Sequence, residues 1–399
     1  MDLGTTMNIL RDPAGIPFYP VVFQGLYILT WALHAAFVLL ALGGMTLSVV
    51  GTVKQKSDAK WKLLTAHSVQ TSKISVSLLI LLGIAPLLFT QVIYDPNWYV
   101  VNSLSGVWVF VFVYALLAGY MMLYWFYYAN KKASSGSVVI GLVSLLVLVF
   151  AGLLMHVFAY ESIQPDKWMQ WYAPGGVVDT SGLNFHVNPV RLLFLVILSA
   201  PTLGIFLLNY SDFVSTRDDF SPEYVAFVKG LGKKIATIGL LASAVLFAAW
   251  MFQEGLLLNP LSLAIVAAVV VLLLMVAKGV NSYAITGVLV VAALLISALR
   301  EYIRFNLMSG LGYNIYDYPV NIDWPSVVMF LLTFVFFGFT AIAFILTMAW
   351  KVGKTQGVFD ASKDPTVTKL ANATVAIVLL WCIVYMGWGM FTLFKNTLL

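Results

Sequence analysis

LTWALHAAFVLLALGG, residues 29–44, is apolar almost from end to end, yet it keeps an imidazole, His34. Runs of this kind recur along all 399 residues, of which 61% are hydrophobic and only 10% charged. A soluble chain of this size carries about 25% charged residues. An apolar run of about 20 residues crosses a ~30 Å hydrocarbon core as a helix, and in lipid a helix satisfies its own backbone. Ten such runs are predicted, at about 21–53, 68–93, 106–130, 137–160, 188–210, 233–257, 260–278, 281–299, 324–350 and 368–394. The expected fold is all-α: a polytopic integral membrane helix bundle of about ten transmembrane helices, one transmembrane domain over 1–399. The polar N-terminus lacks the short apolar core of a cleaved signal peptide, so none is expected.

The basic residues give the bundle two unlike ends. Of the 22 lysines and arginines, sixteen fall in or beside alternate connections, among them Lys54, Lys56, Lys60, Lys62, Lys131, Lys132, Lys233, Lys278 and Lys354. The other end holds six: Arg11, Lys167, Arg191, Arg300, Arg304 and Lys395. The positive-inside rule then puts both termini outside the cytoplasm. The net charge of +5 reflects this bias and calls for no nucleic acid. One cysteine, Cys382, excludes an intrachain disulfide and the paired-cysteine motifs of zinc and covalent haem. No phosphate-binding glycine loop or serine-nucleophile elbow is present, and no internal repeat stands out of the kind that many transporters show.

Ionisable residues inside a membrane are costly and mark functional sites by default. Counted from the lysine-rich end at ~1.5 Å per residue, His34 lies about 30 Å deep, His156 in GLLMHVFAYE about 29 Å and Arg300 about 33 Å. Three helices thus bring polar side chains to one level. His186 and Arg191 join them in NFHVNPVRLLF, where the fifth helix begins, and REYIR, from Arg300 to Arg304 with Glu301 between, is read as the end of the eighth. His67 stands alone near the lysine-rich end. Each has an ordinary reading, an interfacial anchor or a carbonyl-bonded imidazole, and a chemical one, since an imidazole suits haem iron and arginines suit haem propionates or a quinone headgroup. The connection 161–189, ESIQPDKWMQWYAPGGVVDTSGLNFHVNP, is long and aromatic. It is expected to be turn-rich around YAPGGVVDTSG and to offer Trp168 and Trp171 as a contact surface.

These stretches resemble subunit I of the cytochrome bd quinol oxidases. LTWALHAAFVLLALGG is similar to that family's first helix, whose histidine binds haem. LLGIAPLLFTQVIYDPNW resembles its second helix and Asn-Trp pair, NPVRLLFLVILSAPTLGIFLL its fifth, and ALREYIR the place of an acidic haem-binding residue. The resemblance implies a haem-ligating His34 and, less directly, Glu301; His156 has no family counterpart and would be a new ligand. It implies haem b, one or two, with quinone or quinol as substrate. The departures are equally specific. Leu195–Leu198 holds no haem-ligating histidine, GVWVFVFVYALLAGYMMLYWF lacks the proton-feeding acids, Met275 lies too near the lysine-rich end to match the methionine ligand, and QEGLLLNP replaces the long quinol loop. A tenth helix is added.

The function expected is that of a membrane subunit in a respiratory or electron-transfer complex of a prokaryotic inner membrane. It passes electrons between quinone and an extracytoplasmic redox partner, a c-type cytochrome, and does not reduce oxygen alone. Its expected neighbours are lipid and other subunits. The alternatives are a haem-free anchor or scaffold, and a transporter. The candidate cofactor-binding residues are His34, His156, His186, Arg191, Arg300, Glu301 and Arg304, with His34 and His156 on the haem iron.

Overall fold

A computed structural model describes residues 3–398. Ten helices are long and apolar enough to cross a membrane, here numbered in order as spans: Pro20–Lys54, Ala59–Ile93, Gly106–Lys131, Ser137–Glu161, Pro189–Val214, Pro222–Gln253, Pro260–Lys278, Ser282–Gly310, Trp324–Lys354 and Pro365–Lys395. No strand occurs among the described residues beyond one isolated bridge, Ile16 to Val320. The protein is an all-α membrane helix bundle.

Several helices outrun the apolar stretches that announced them. The second span starts at Ala59, capped by the Asp58 carboxylate on the Lys60 amide, so a charged turn and more precedes the apolar part. The eighth does not end in REYIR. It continues to Gly310, which places Arg300, Glu301 and Arg304 within a helix rather than at its frayed end. Conversely, the sixth stops at Gln253, before Gly255 with φ 69°. The fifth is broken after Ile197 and resumes at Ser199; Pro201 supplies no amide for a bond back to Ile197, which relaxes the turn there.

The chain forms two compact units, the first made of Met1–Gly15, Tyr19–Asp212 and Glu223–Pro319. In it the first two spans are joined along small residues. The hydroxyls of Ser48 and Ser68 both donate to the Gly44 carbonyl, at 2.6 and 2.9 Å. A Cβ on Gly44 would meet the Ser72 hydroxyl at 2.6 Å, and one on Gly51 the Thr65 hydroxyl at 2.2 Å. In lipid, with no hydrophobic drive between helices, close approach and such hydrogen bonds hold the pair. Gly51→Leu is therefore expected to cost about 1–3 kcal/mol by overpacking, read as a lower midpoint of thermal unfolding in nanodiscs, with Gly51→Ala milder.

The second unit contains residues 16–18, 213–222 and 320–399. Lys354 reaches the Phe213 carbonyl at 2.5 Å and the Thr216 hydroxyl at 2.8 Å, and Lys351 pairs with Asp364. A π turn at Thr333–Gly338 interrupts the ninth span, where Trp381 of the tenth donates its indole N–H to Thr333 Oγ1 at 2.6 Å.

Candidate functional site

His34 is held from one side. Its Nδ1 lies 2.9 Å from the Leu79 carbonyl of the second span. A carbonyl only accepts, so Nδ1 carries the proton and Nε2 keeps its lone pair. The ring rests over Gly83, where a Cβ would stand 2.8 Å from Cε1 and 3.0 Å from Nδ1. Nε2 makes no hydrogen bond among the described residues. An imidazole fixed through one nitrogen and free at the other is the arrangement that metal-binding histidines use.

His34, His156 and Arg191 all feel the charge of Arg300, so the residues that sequence placed at one depth do gather. His156 is buried. Its Nε2 accepts the Asn188 amide at 3.3 Å, and its Nδ1 is buried without a partner. Arg191 is 6% exposed, and its Nε has no partner. Arg300 lays its guanidinium over Trp31 at 3.8 Å and leaves Nε and Nη1 buried and unpaired. Glu254, bonded to the Trp250 indole at 2.9 Å, and Glu301 are the acids that act on these arginines. With Arg304, three cations face two carboxylates.

Glu301 is 3% exposed. Its Oε1 accepts from Tyr94 at 2.8 Å and from Gln24 at 3.0 Å, and its Oε2 lies 3.4 Å from Arg304. Arg304 rests on the rings of Tyr27 and Tyr94, at 4.4 and 5.0 Å, and reaches Thr90 Oγ1 at 3.2 Å. Tyr316, exposed, donates to Gln24 at 2.6 Å. Beyond the spans, Asp95 accepts from Tyr318 and Tyr313, between whose rings Arg11 is inserted at 4.3 Å from each. Burial pushes the Asp95 carboxyl and both phenols up from their ordinary values.

A further carboxylate of this end is Glu161, fully buried at the end of the fourth span. Its Oε2 accepts from Ser105 at 2.6 Å, while Oε1 accepts from the His186 amide at 3.2 Å and Nδ1 at 3.0 Å. His186 stacks on Trp171 with centroids 4.0 Å apart. Trp168, expected on the surface, is instead 6% exposed and donates to the Glu161 carbonyl at 2.8 Å. A short amphipathic helix, Pro165–Tyr172, turns it inward; of the two tryptophans, Trp171 remains in reach of solvent. After Pro174–Gly176 the connection has no regular structure up to Pro189.

Haem is the group that the resemblance implies, and the donor set admits it in part. His34 Nε2 is available to iron, and the unpaired N–H groups of Arg191 and Arg300 suit carboxylates. His156 does not offer an opposite ligand in this geometry, because its lone pair at Nε2 is taken by Asn188 and Nδ1 then bears the proton. No cluster of three or more metal-ligating side chains occurs among the described residues. At the level of the missing fifth-helix histidine, Phe194 packs on Phe247 and Trp250 at 5.4 and 5.5 Å. Met275 packs beside Leu272 and Val276. Tyr94, Gln24, Trp31, Gly83 and Glu161 were not among the sequence candidates; of these only Glu161, an acid closing an apolar span, carries a signal of its own.

No protein-family profile matches the sequence, and no curated protein matches it either. Among solved structures, the fold is similar to that of the bd oxidase from Geobacillus thermodenitrificans, with a TM-score of 0.53 and 14% identity, over 84% of this chain and 97% of that one. At this identity the likeness is one of fold.

Proposed function

We propose that this chain is a membrane subunit of a respiratory complex that holds b-type haem at the lysine-poor end and passes electrons between quinone and an extracytoplasmic redox partner such as a c-type cytochrome. The observation that carries the reading is that His34, whose Nε2 is free, and Arg191 both lie within the field of Arg300, and that both arginines keep buried N–H groups without partners. When bound, haem would supply one-electron exchange. The chain's own part is to ligate through His34, to fix that ring through Leu79, to neutralise acid groups with the arginines and to keep water away with Trp31, Phe194 and Trp250. An absorption spectrum of the purified protein tests this directly: a b-type Soret band is expected, and its absence would leave the haem-free anchor. The aromatic packing of Phe194, Phe247 and Trp250 favours that second reading at the fifth-helix position alone.

In this reading the lysine-rich end faces the cytoplasm and both termini lie outside, in a prokaryotic inner membrane. Reporter fusions at Lys132 and Lys354 are expected to report cytoplasm, and one at Gly176 the outside. A cytoplasmic signal at Gly176 would invert the arrangement, and with it the side on which the partner docks.

A further inference from the structure

Glu161 and His186 form a pair that the haem reading leaves unused. Glu161 is fully buried, and both its oxygens already accept, Oε2 from Ser105 and Oε1 from the His186 amide. The further contact at 3.0 Å to Nδ1 is then a donation from the ring, which fixes the tautomer with its lone pair on Nε2. Trp171 covers one face of the imidazole at 4.0 Å and 12°. The His186 side chain is 33% exposed, and Nε2 makes no hydrogen bond among the described residues. A base held by a buried carboxylate, with its acceptor edge open, is a constellation built to receive a proton donor.

The surroundings narrow the donor. His186 stands three residues before Pro189, the start of the fifth span, so it lies near the membrane boundary. Around it in sequence Leu183 is 52% exposed and Phe185 38%, and Met169, two residues before the stacked Trp171, is 68% exposed. Phe185 meets Trp108 edge-on at 5.3 Å. The ligand that suits this edge is apolar and carries a proton donor, of which a phenolic O–H is one. An anion finds no donor at Nε2, and a bare metal ion, which unlike haem iron brings no ligands of its own, finds no set of three or more ligating side chains among the described residues. We infer that the Nε2 edge of His186, oriented by Glu161 and backed by Trp171, is the docking point of a hydroquinone headgroup, whose phenolic O–H donates to Nε2. The inference rests on the proposed use of quinone but assigns the site to the fourth-to-fifth connection.

The test uses the full chain in nanodiscs with a decyl-substituted benzoquinol kept reduced, and the corresponding quinone as control. The quinol is expected to bind at least tenfold more tightly than the quinone, whose carbonyls cannot donate. His186→Phe keeps a ring on Trp171 and is expected to abolish that tenfold preference; His186→Gln, which can accept, restores part of it. In the wild-type chain the quinol, but not the quinone, is expected to shield His186 from carbethoxylation, read by mass spectrometry. That measurement stands whether or not His186→Phe folds. Equal affinity for both redox forms, or no shielding of His186, overturns the inference. A b-haem spectrum without His186-dependent binding defeats this inference alone. His186-dependent binding in a chain without haem keeps the site and removes the electron-transfer reading.

Discussion

His34→Ala protein is expected to assemble in membranes and, on the proposed haem reading, to lose the b-haem absorption expected of the wild type. Two consequences of the substitution differ greatly in size. The structural one is the loss of a single interhelical bond to Leu79, and such bonds average about 0.6 kcal/mol in a membrane protein. The chemical one is the loss of the side chain whose Nε2 faces no other partner, so no neighbour would replace it on the iron of the proposed haem. His156, the neighbour at the same depth, spends its Nε2 on Asn188. The expected outcome is thus near-complete loss of the spectrum with a thermal midpoint close to that of the wild type. An unchanged spectrum in His34→Ala would remove the ligand assignment, and with it the main reason to prefer electron transfer over a scaffold.

The second large effect is structural. Glu301→Leu is expected to cost about 3–5 kcal/mol, the range found when one partner of a buried pair is removed. The acid accepts from Tyr94 and Gln24 and faces Arg304. Without it, Tyr94 loses its acceptor, and Arg304 and Arg300 are left beside each other with less compensation. Glu301→Gln still accepts at one oxygen and is expected to fall between the two. The measurement is the thermal midpoint in nanodiscs, alongside the yield of folded protein from membranes. A Leu variant as stable as the wild type would mean that Arg304 is served well enough by Tyr27, Tyr94 and Thr90.

What sequence disclosed and what it hid follow from range. Apolar length is a local property, so the ten spans could be read directly, and depth along a helix is additive, so His34, His156 and Arg300 could be placed at one level. Helix ends were misread where polarity and helicity part company. Residues 300–310 are polar enough to suggest an end, yet Glu301 and Arg304 compensate each other within one turn and the helix continues. Partners across space left no trace. That Glu161 would take the Nδ1 of His186, 25 residues on, depends on how the connection folds back, and Trp168 was misplaced for the same reason. The bond from Asn188 that engages His156 comes from a backbone amide, which every residue but proline possesses.

Gly83 lends the candidate site a form of heredity. The His34 ring occupies the volume that any larger residue at position 83 would claim, so the two helices share one space between them. A mutation to alanine at 83 therefore reaches the first span before it harms the second, by tilting the imidazole off its carbonyl. Among homologous chains, a side chain at 83 should appear where the histidine at 34 has already been surrendered. The pair is expected to persist or vanish together, and so to mark which lineages keep the site in use.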